Sequence, residues 1–576
     1  GVVMSDWGAT HDAEGALTGG LDLEMPGPDI WKPDVVQRLV REGKVPERTI
    51  DDKVARLLRM AVAMGFLDRP QERPQPAASL NRNRQTALDV AREGIVLLKN
   101  EGGVLPLDRK KVRRVVVMGP NAHPAVTGGG GSSWTAPERS VSLLDGLRAF
   151  LGEEKVVRIA PIEDRFAFST SLPVRGARAE VFEGTRLGGQ PLATQPWNRI
   201  DFDWGANGPL ENGPKDRFSV RIRARIEPAT TGFYILGTES DDGVAVLLDG
   251  RPVIQDWSDH GVQRDTRRVR LEAGRSYELE IRYYENQGLA VLRFGWWPEP
   301  AAGLSAEEER LVRGADAVVV AVGFGPKSEG EGWDRAYELP DSQRRTILEA
   351  ARLNRNVIVV LNAGAGVETE SWLSRCRGLL QAWYPGQEGG TALAEILLGV
   401  TDPSGKLPLS WERRLSDLPA MRNYPGKDGV VRYEEGLNVG YRFFDRGIAK
   451  PLYPFGFGLS YTRFDYSDLS VRRQGERVAV CFRLRNAGPR PGKEAAQVYV
   501  LPPKGTKDRP VKELKGFAKV SLKPGEATLV SVSLDRRSFE RWDTNGGGWV
   551  LDPGIYTIRV GGSSADKRLE AQIRLP

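Results

Sequence analysis

Near the start of the chain three apolar residues, Val2, Val3 and Met4, run into Ser5, Asp6, Trp7 and Gly8. A carboxylate at the end of such a run sits where a buried parallel strand opens into a cleft, and the indole beside it offers a flat apolar face. Asp6 is therefore a candidate nucleophile and Trp7 a candidate platform for a sugar ring, although from these residues alone a cap on a following helix is the preferred reading of the same Asp. A second chemical stretch lies far along the chain, in Lys327-Ser328-Glu329-Gly330-Glu331-Gly332-Trp333-Asp334-Arg335. It sets three carboxylates and a guanidinium among glycines, next to an aromatic. By composition alone it is a solvated acidic loop. Its place after a buried apolar run puts it at a strand end, where a chemical role becomes an alternative to that reading. Two carboxyl groups about 5–5.5 Å apart, one ionised and one protonated, are what cleavage of an acetal with retention requires.

Ser5-Asp6-Trp7 resembles the nucleophile motif of glycoside hydrolase family 3, and the acidic loop is similar to that family's Glu-Gly-aromatic-Asp-Arg motif. The resemblance implies Asp6 as nucleophile and Glu331 as acid/base, with Glu329 the neighbour that could take its place. It places Trp7 and Trp333 against substrate and expects Arg335 and Asp334 to fix the loop by pairing. A strand tip with backbone and cationic donors would keep Asp6 ionised, whereas partial burial and the Asp6 charge are expected to raise the pKa of Glu331. The implied activity is that of a retaining exo-acting β-glycosidase, first of all a β-glucosidase, with a small carbohydrate as substrate and no cofactor. In that family the nucleophile motif closes the seventh strand of an eight-stranded barrel. On this reading most of the barrel would lie upstream of Gly1, and the polypeptide alone would hydrolyse little.

Composition sets wider bounds. A chain of 576 residues with 40% hydrophobic and 27% charged residues reads as several soluble globular domains. The net charge of +6 is a small difference between 82 basic and 76 acidic residues, without a block of one sign, so it does not point to a nucleic-acid partner. Membrane association is not expected, since no apolar run reaches spanning length. Cys376 and Cys481 fall in different predicted domains and read as buried free thiols. Three scattered histidines, His11, His123 and His260, do not suggest a zinc site.

The predicted fold class is multidomain α/β plus all-β. Residues 1–70 read as the C-terminal remnant of a (β/α)8 barrel: Leu21–Pro26 is a second short strand, then a helix begins at a Thr49 cap and carries Val54, Leu57, Leu58, Ala61 and Met64 at helical spacing up to Gly65. A Pro-rich linker covers 71–85. Residues 86–171 and 300–430 read as an α/β sandwich with a parallel sheet, in which Val115–Met118, Ala317–Val322, Val357–Leu361 and Leu379–Trp383 each open into a Gly- or Pro-bearing loop. Gly128-Gly129-Gly130-Gly131-Ser132-Ser133 lacks the Lys-Ser/Thr of a phosphate-binding loop; the family resemblance implies a mobile loop whose backbone can approach a sugar, with a plain flexible loop as the alternative.

Residues 172–299 turn to alternating strands, with Asp249-Gly250 as a hairpin signal. Gly232-Phe233-Tyr234, Ser240-Asp241-Asp242-Gly243, Asp256-Trp257 and Gly295-Trp296-Trp297 make this block similar to the protective-antigen-type β-sandwich inserted in some family members. In some adhesins a paired Asp of such a domain holds calcium; Asp241 and Asp242 match by type, but with no second ligand loop they read first as turn carboxylates bonding their own backbone. An aromatic, Gly-rich connector spans 431–465. Residues 466–576 resemble the family's fibronectin type III-like tail, an immunoglobulin-like sandwich. A non-catalytic carbohydrate-binding or adhesion protein, and a β-xylosidase or other family 3 glycosidase, stay open as alternatives. A periplasmic or secreted location is favoured over a cytoplasmic one, and the sequence leaves the oligomeric state open.

Overall fold

Short apolar segments need partners before they can be buried, and the start of the chain illustrates the rule. The computed structural model describes residues 1–69, 77–161, 168, 171–197, 199–257, 259, 262–286, 288–298, 304–326, 328–331, 335–506 and 509–576. Their contacts divide into two units, residues 1–83 and 84–576. In the first, Leu17, Leu39 and Val45 form a small core with Trp31, Val35, Val36, Val40 and Ile50 packed against it. Its helices are α1 (Ala13–Thr18), α2 (Pro33–Arg41) and α3 (Glu47–Ala63). Asp12 caps α1 by accepting the Gly15 N–H. Pro46 occupies the cap position of α3, three positions earlier than the expected cap, so Thr49 lies inside the helix.

The segment around Asp6 is not the buried strand expected. Met4 and Leu23 form one isolated parallel bridge, with the Ser5 N–H donating to the Leu23 carbonyl at 3.0 Å and the Gly8 N–H to Met25 at 3.1 Å. Val3 and Met4 are exposed, as are Val54, Leu58 and Met64 on α3. A parallel strand gains its burial from neighbours on both sides and helices on both faces. Among the described residues of this unit, the Leu21–Pro26 stretch alone bridges it.

The second unit takes in α4 (Ala77–Gly94) from Arg84 onward, then β1 (Val96–Asn100), β2 (Val115–Met118), α5 (Leu143–Leu151) and β3 (Val156–Arg158). Then come β4 (Arg175–Glu183), β5 (Ala193–Pro196), β6 (Asp201–Gly205), β7 (Phe218–Ile226) and β8 (Gly232–Asp241). They are followed by β9 (Val244–Leu248), β10 (Arg251–Asp256), β11 (Gln263–Leu271), β12 (Tyr277–Glu285) and β13 (Ala290–Pro298). Helix and strand alternation resumes with α6 (Ala306–Arg313), β14 (Ala317–Gly323), α7 (Asp341–Leu353), β15 (Val357–Asn362), β16 (Gly378–Gln381) and α8 (Gly389–Leu397).

The parts on either side of β4–β13 build one mixed sheet, ordered β1-β16-β15-β14-β2-β3, in which β1 alone runs antiparallel to its neighbour. Along β14, Ala317, Val319 and Ala321 point into one apolar layer with α5 and α8. Val318, Val320 and Val322 point into the other, with Ile347 and Ala350 of α7. Burial on both faces is why these strands are apolar without interruption. At the carboxyl end of β14 the chain must turn at once. Gly323 does so at φ +126°, where an added Cβ would stand 1.9 Å from the Asn362 carbonyl oxygen. Gly323→Ala combines a left-handed backbone with a clash against backbone, and should cost about 3 kcal/mol or more, read from urea denaturation. A cost below about 1 kcal/mol would contradict this packing.

Strands β4–β13 form two antiparallel sheets, β10-β9-β12-β7-β4-β5 and β11-β8-β13-β6, that share one apolar core including Val220, Ile281, Leu236 and Trp296. The β9–β10 hairpin turns at Asp249 (φ +48°) and Gly250 (φ +73°), the pair of positive φ values that a two-residue turn of this hand needs. Further on lie α9 (Tyr441–Phe444), β17 (Phe464–Gln474), β18 (Arg477–Asn486), β19 (Gly492–Leu501), β20 (Glu513–Leu522) and β21 (Ala527–Leu534). The chain closes with β22 (Glu540–Asp543), β23 (Gly548–Leu551), β24 (Gly554–Gly561) and β25 (Leu569–Leu575). Sheets β17-β18-β21 and β20-β19-β24-β25 close on a core built around Phe482, Val498 and Tyr556, so the C-terminal domain is all-β. Both thiols are free; Cys376 is buried, whereas Cys481 is half-buried rather than buried. No helix among the described residues is long and apolar enough to cross a membrane.

Candidate active site

Open parallel sheets present their loops at the carboxyl ends of the strands, and here those loops meet on one carboxylate. Glu329, in the loop after β14, accepts the Arg335 Nε–H at 2.8 Å and the backbone N–H of Gly364, just past β15, at 2.8 Å. The hydroxyl of Tyr384, past β16, donates to its second oxygen. Its own carbonyl accepts the Gly130 N–H at 2.8 Å. Arg335 is in turn held by the Ala336 and Gly366 carbonyls, and its guanidinium lies 4.6 Å over the Phe324 ring. The expectation that Arg335 pairs to fix this loop is met, with Glu329 as the partner; Asp334 and Trp333 lie outside the described residues.

Glu331 has a different environment. Its carboxylate is exposed and accepts the Ser132 N–H at 2.7 Å. Ser132, through its hydroxyl and its backbone N–H, holds the Glu331 carboxyl below the usual glutamate range. That direction is opposite to the rise expected from burial and a neighbouring charge, because the group is solvated and bonded by donors that favour the ionised form. The glycine run also plays another part than expected. An added Cβ on Gly130 would lie 2.1 Å from the Pro326 carbonyl oxygen, and one on Gly131 (φ +77°) would lie 2.5 Å from the Glu331 Cβ. These glycines let one loop's backbone press against the loop that carries the two glutamates.

In the first unit, Asp6 accepts the Trp7 N–H at 2.7 Å, and Trp7 is 74% exposed. The Ser5 hydroxyl accepts the Met25 N–H at 2.9 Å, and the buried Asp22 carboxylate accepts the Val3 N–H at 2.8 Å. These bonds tie the Asp6 segment to the stretch that follows α1.

A second carboxylate cluster lies among the strands between β4 and β13. One oxygen from each of Asp241, Asp242 and Glu285 falls within 4.8 Å of the others, and all three residues are buried. Asp242 accepts the Asn286 N–H at 2.9 Å, which is the backbone-bonding role expected of a turn carboxylate. Glu285 was not anticipated, yet its position in phase with Leu279, Ile281 and Tyr283 on β12 marks a carboxylate on the buried face. Its Oε1 has no hydrogen-bond partner among the described residues. Three hard oxygen donors with an unpartnered one among them fit a cation such as calcium. Burial, then the Asp242 and Asp241 charges, push the Glu285 carboxyl up to about 8. The folded state thus holds this proton more tightly than the unfolded chain, where the group titrates near 4.5. Its contribution to stability is full below about pH 4.5 and is lost as pH rises through about 8. With chelator present, the thermal midpoint of Glu285→Gln should fall less over that window than the parent's. Equal slopes would contradict the assignment; Asp241, Asp242 and the Tyr283 hydroxyl are the groups that face it.

Comparison with known proteins gives this arrangement a class. Residues 95–461 match the glycosyl hydrolase family 3 C-terminal domain, and residues 494–564 match the fibronectin type III-like domain. The whole chain aligns with a beta-glucosidase of Rhizobium radiobacter at 35% identity, covering 73% of that protein, and with beta-glucosidase B of Emericella nidulans at 33%, again covering 73%. Among solved structures it superposes over its full length on the Kluyveromyces marxianus beta-glucosidase in complex with glucose (TM-score 0.73, 27% identity, 73% of that chain). It also superposes on DesR, a beta-glucosidase from Streptomyces venezuelae in complex with D-glucose (TM-score 0.77, 30% identity, 72% of that chain). The chain belongs to glycosyl hydrolase family 3. It is a glycoside hydrolase chain with a mixed α/β sheet and a C-terminal all-β domain.

Proposed function

We propose that this chain carries both catalytic carboxyl groups of a retaining, exo-acting β-glucosidase that releases terminal β-D-glucosyl residues from short oligosaccharides or glycosides. The observation that carries the reading is the contrast between the two loop glutamates. Three of the four lone-pair directions of Glu329 are taken by Arg335, Gly364 and Tyr384, whereas Glu331 is solvated and, among the described residues, meets a single loop. Glu331 is therefore the acid/base. The naming of the relatives as beta-glucosidases, two of them with glucose bound, supports glucose as the sugar.

In this mechanism the Asp6 carboxylate attacks the anomeric carbon as Glu331 delivers its proton to the departing oxygen, leaving a glucosyl ester on Asp6. Glu331, now ionised, takes a proton from water; the resulting hydroxide opens the ester and frees glucose with its configuration retained. For Glu331 to hold a proton at the start, its solvation must be replaced by sugar and protein as the glycone is enclosed. Trp7 and Trp333 supply stacking faces. No step needs a metal, so the Asp241, Asp242 and Glu285 trio stands apart from the chemistry.

The finer domain reading accompanies this proposal. The exposed Val3, Met4, Val54, Leu58 and Met64 support residues 1–70 as barrel elements whose apolar faces other barrel elements cover. The common core of strands β4–β13 supports residues 172–299 as an inserted protective-antigen-type sandwich. The test is turnover of 4-nitrophenyl β-D-glucoside by the 576-residue chain and by a form in which the remaining family 3 barrel elements are joined ahead of Gly1. The chain alone should be slower by on the order of 10³-fold, because an exposed Asp6 lacks the walls that fix a glycone. Comparable turnover by the two would overturn the barrel reading.

A further inference from the structure

We propose that Glu329 is a positioning residue whose carboxylate clasps three strand-end loops and so sets the place of Glu331 at the rim of the sheet. The proposal rests on the reading of Glu331 as acid/base. Glu329 and its donors come from separate parts of the chain: Arg335 from its own loop, Gly364 from the loop after β15, Tyr384 from the loop after β16. Its side chain is 17% exposed and that of Arg335 10%. A carboxylate this far from water, with a guanidinium and two further donors on it, has one low-energy arrangement. Two residues on, Glu331 has no comparable anchor among the described residues, and its position follows from where the clasp leaves the backbone.

A fourth loop closes the arrangement. The Gly130 N–H bonds the Glu329 carbonyl, and two residues later the Ser132 N–H bonds the Glu331 carboxylate. The two loops are laced at consecutive points, so a shift of Glu329 moves the donor that Glu331 faces as well as Glu331 itself. Gly130 and Gly131 permit this approach, since side chains there would collide with Pro326 and Glu331. Glu329 thus serves the reaction through Glu331 without touching substrate.

The test uses the 576-residue chain labelled with 13C-carboxyl glutamate and 15N-serine, with the Glu331 and Ser132 signals assigned by Glu331→Gln and Ser132→Ala. In the parent, Glu331 should titrate below the ordinary glutamate value. In Glu329→Gln it should rise to that value and the Ser132 amide should exchange faster with solvent. Tyr384→Phe, which removes one donor and no charge, should move both signals the same way by less. Unchanged Glu331 titration in both variants, whatever their thermal midpoints, would overturn the proposal and leave Glu329 a structural ion pair. In the barrel-bearing form, Glu329→Gln should lower kcat on alkyl glucosides by about 10²-fold with KM little changed, while dinitrophenyl glucosides are spared. Equal losses on both substrates would also overturn it. If Glu331→Ala showed no dependence on leaving group, the acid assignment would fall, whereas the titrations would still decide whether Glu329 positions Glu331.

Discussion

Asp6→Asn, made in the barrel-bearing form, will lower kcat for every β-glucoside tested by on the order of 10⁴-fold or more. An amide has almost the shape of the carboxylate and can still accept the Trp7 N–H that the Asp6 oxygen accepts now. What it lacks is the charge and the nucleophilic oxygen. The loss should be the same for good and poor leaving groups, because both need the glucosyl–enzyme bond. Binding should change little, so glucose inhibition would persist while turnover vanished. A variant retaining a tenth of parent activity would remove Asp6 from the mechanism, leaving it the helix-capping type of carboxylate that its sequence position also allows.

Glu331→Ala comes next in size and has a more selective signature. For alkyl glucosides and disaccharides, whose leaving oxygen must be protonated, kcat should fall by about 10²–10⁴-fold. Dinitrophenyl glucosides need no such help to depart, so their first step should continue and the glucosyl enzyme should accumulate. Azide, which attacks without a general base, should then restore turnover. The alkaline limb of the parent's pH profile should belong to Glu331 and should disappear in the variant. If Glu329→Ala gave this pattern and Glu331→Ala did not, the roles of the two glutamates would be exchanged.

Much of the scaffold was legible because burial on both faces leaves an uninterrupted apolar run. Val115–Met118 and the runs beginning at Ala317 and Val357 were read as parallel strands and are β2, β14 and β15. The Asp249-Gly250 turn was legible for a local reason, its demand for positive φ. Strand β11 was not read: Gln263–Leu271 carries arginines at 264, 267, 268 and 270, and only its pairing with β8 along nine residues makes it a strand. An edge strand can be held by backbone bonds and ion pairs such as Arg264 with Glu239, which leave no apolar period to see. The Asp6 segment failed in the opposite way. Its composition is that of a buried strand, but composition cannot supply the neighbours that bury it.

The same distinction runs through the candidate site. Motif likeness mapped the acid/base onto Glu331 with Glu329 as its runner-up, but the groups that hold Glu329, Gly364 and Tyr384, lie 35 and 55 positions away from it and were not visible. Tyr384 stood in the sequence as one more residue of a strand-end loop, and nothing local marks its hydroxyl as a partner for a carboxylate. Glu285 was different. Its phase on β12 was visible, and only its meeting with Asp241 and Asp242, more than forty positions away, required the fold.

Trapping the intermediate tests most directly the proposal that Asp6 and Glu331 act on one glucose. The barrel-bearing form would be inactivated with 2-deoxy-2-fluoro-β-D-glucosyl fluoride, digested, and its labelled peptide sequenced by mass spectrometry. The fluoroglucosyl group is expected on Asp6 in the parent, with faster label accumulation than release in Glu331→Ala. Label on any other carboxylate, or full turnover without a trapped ester, would contradict that proposal.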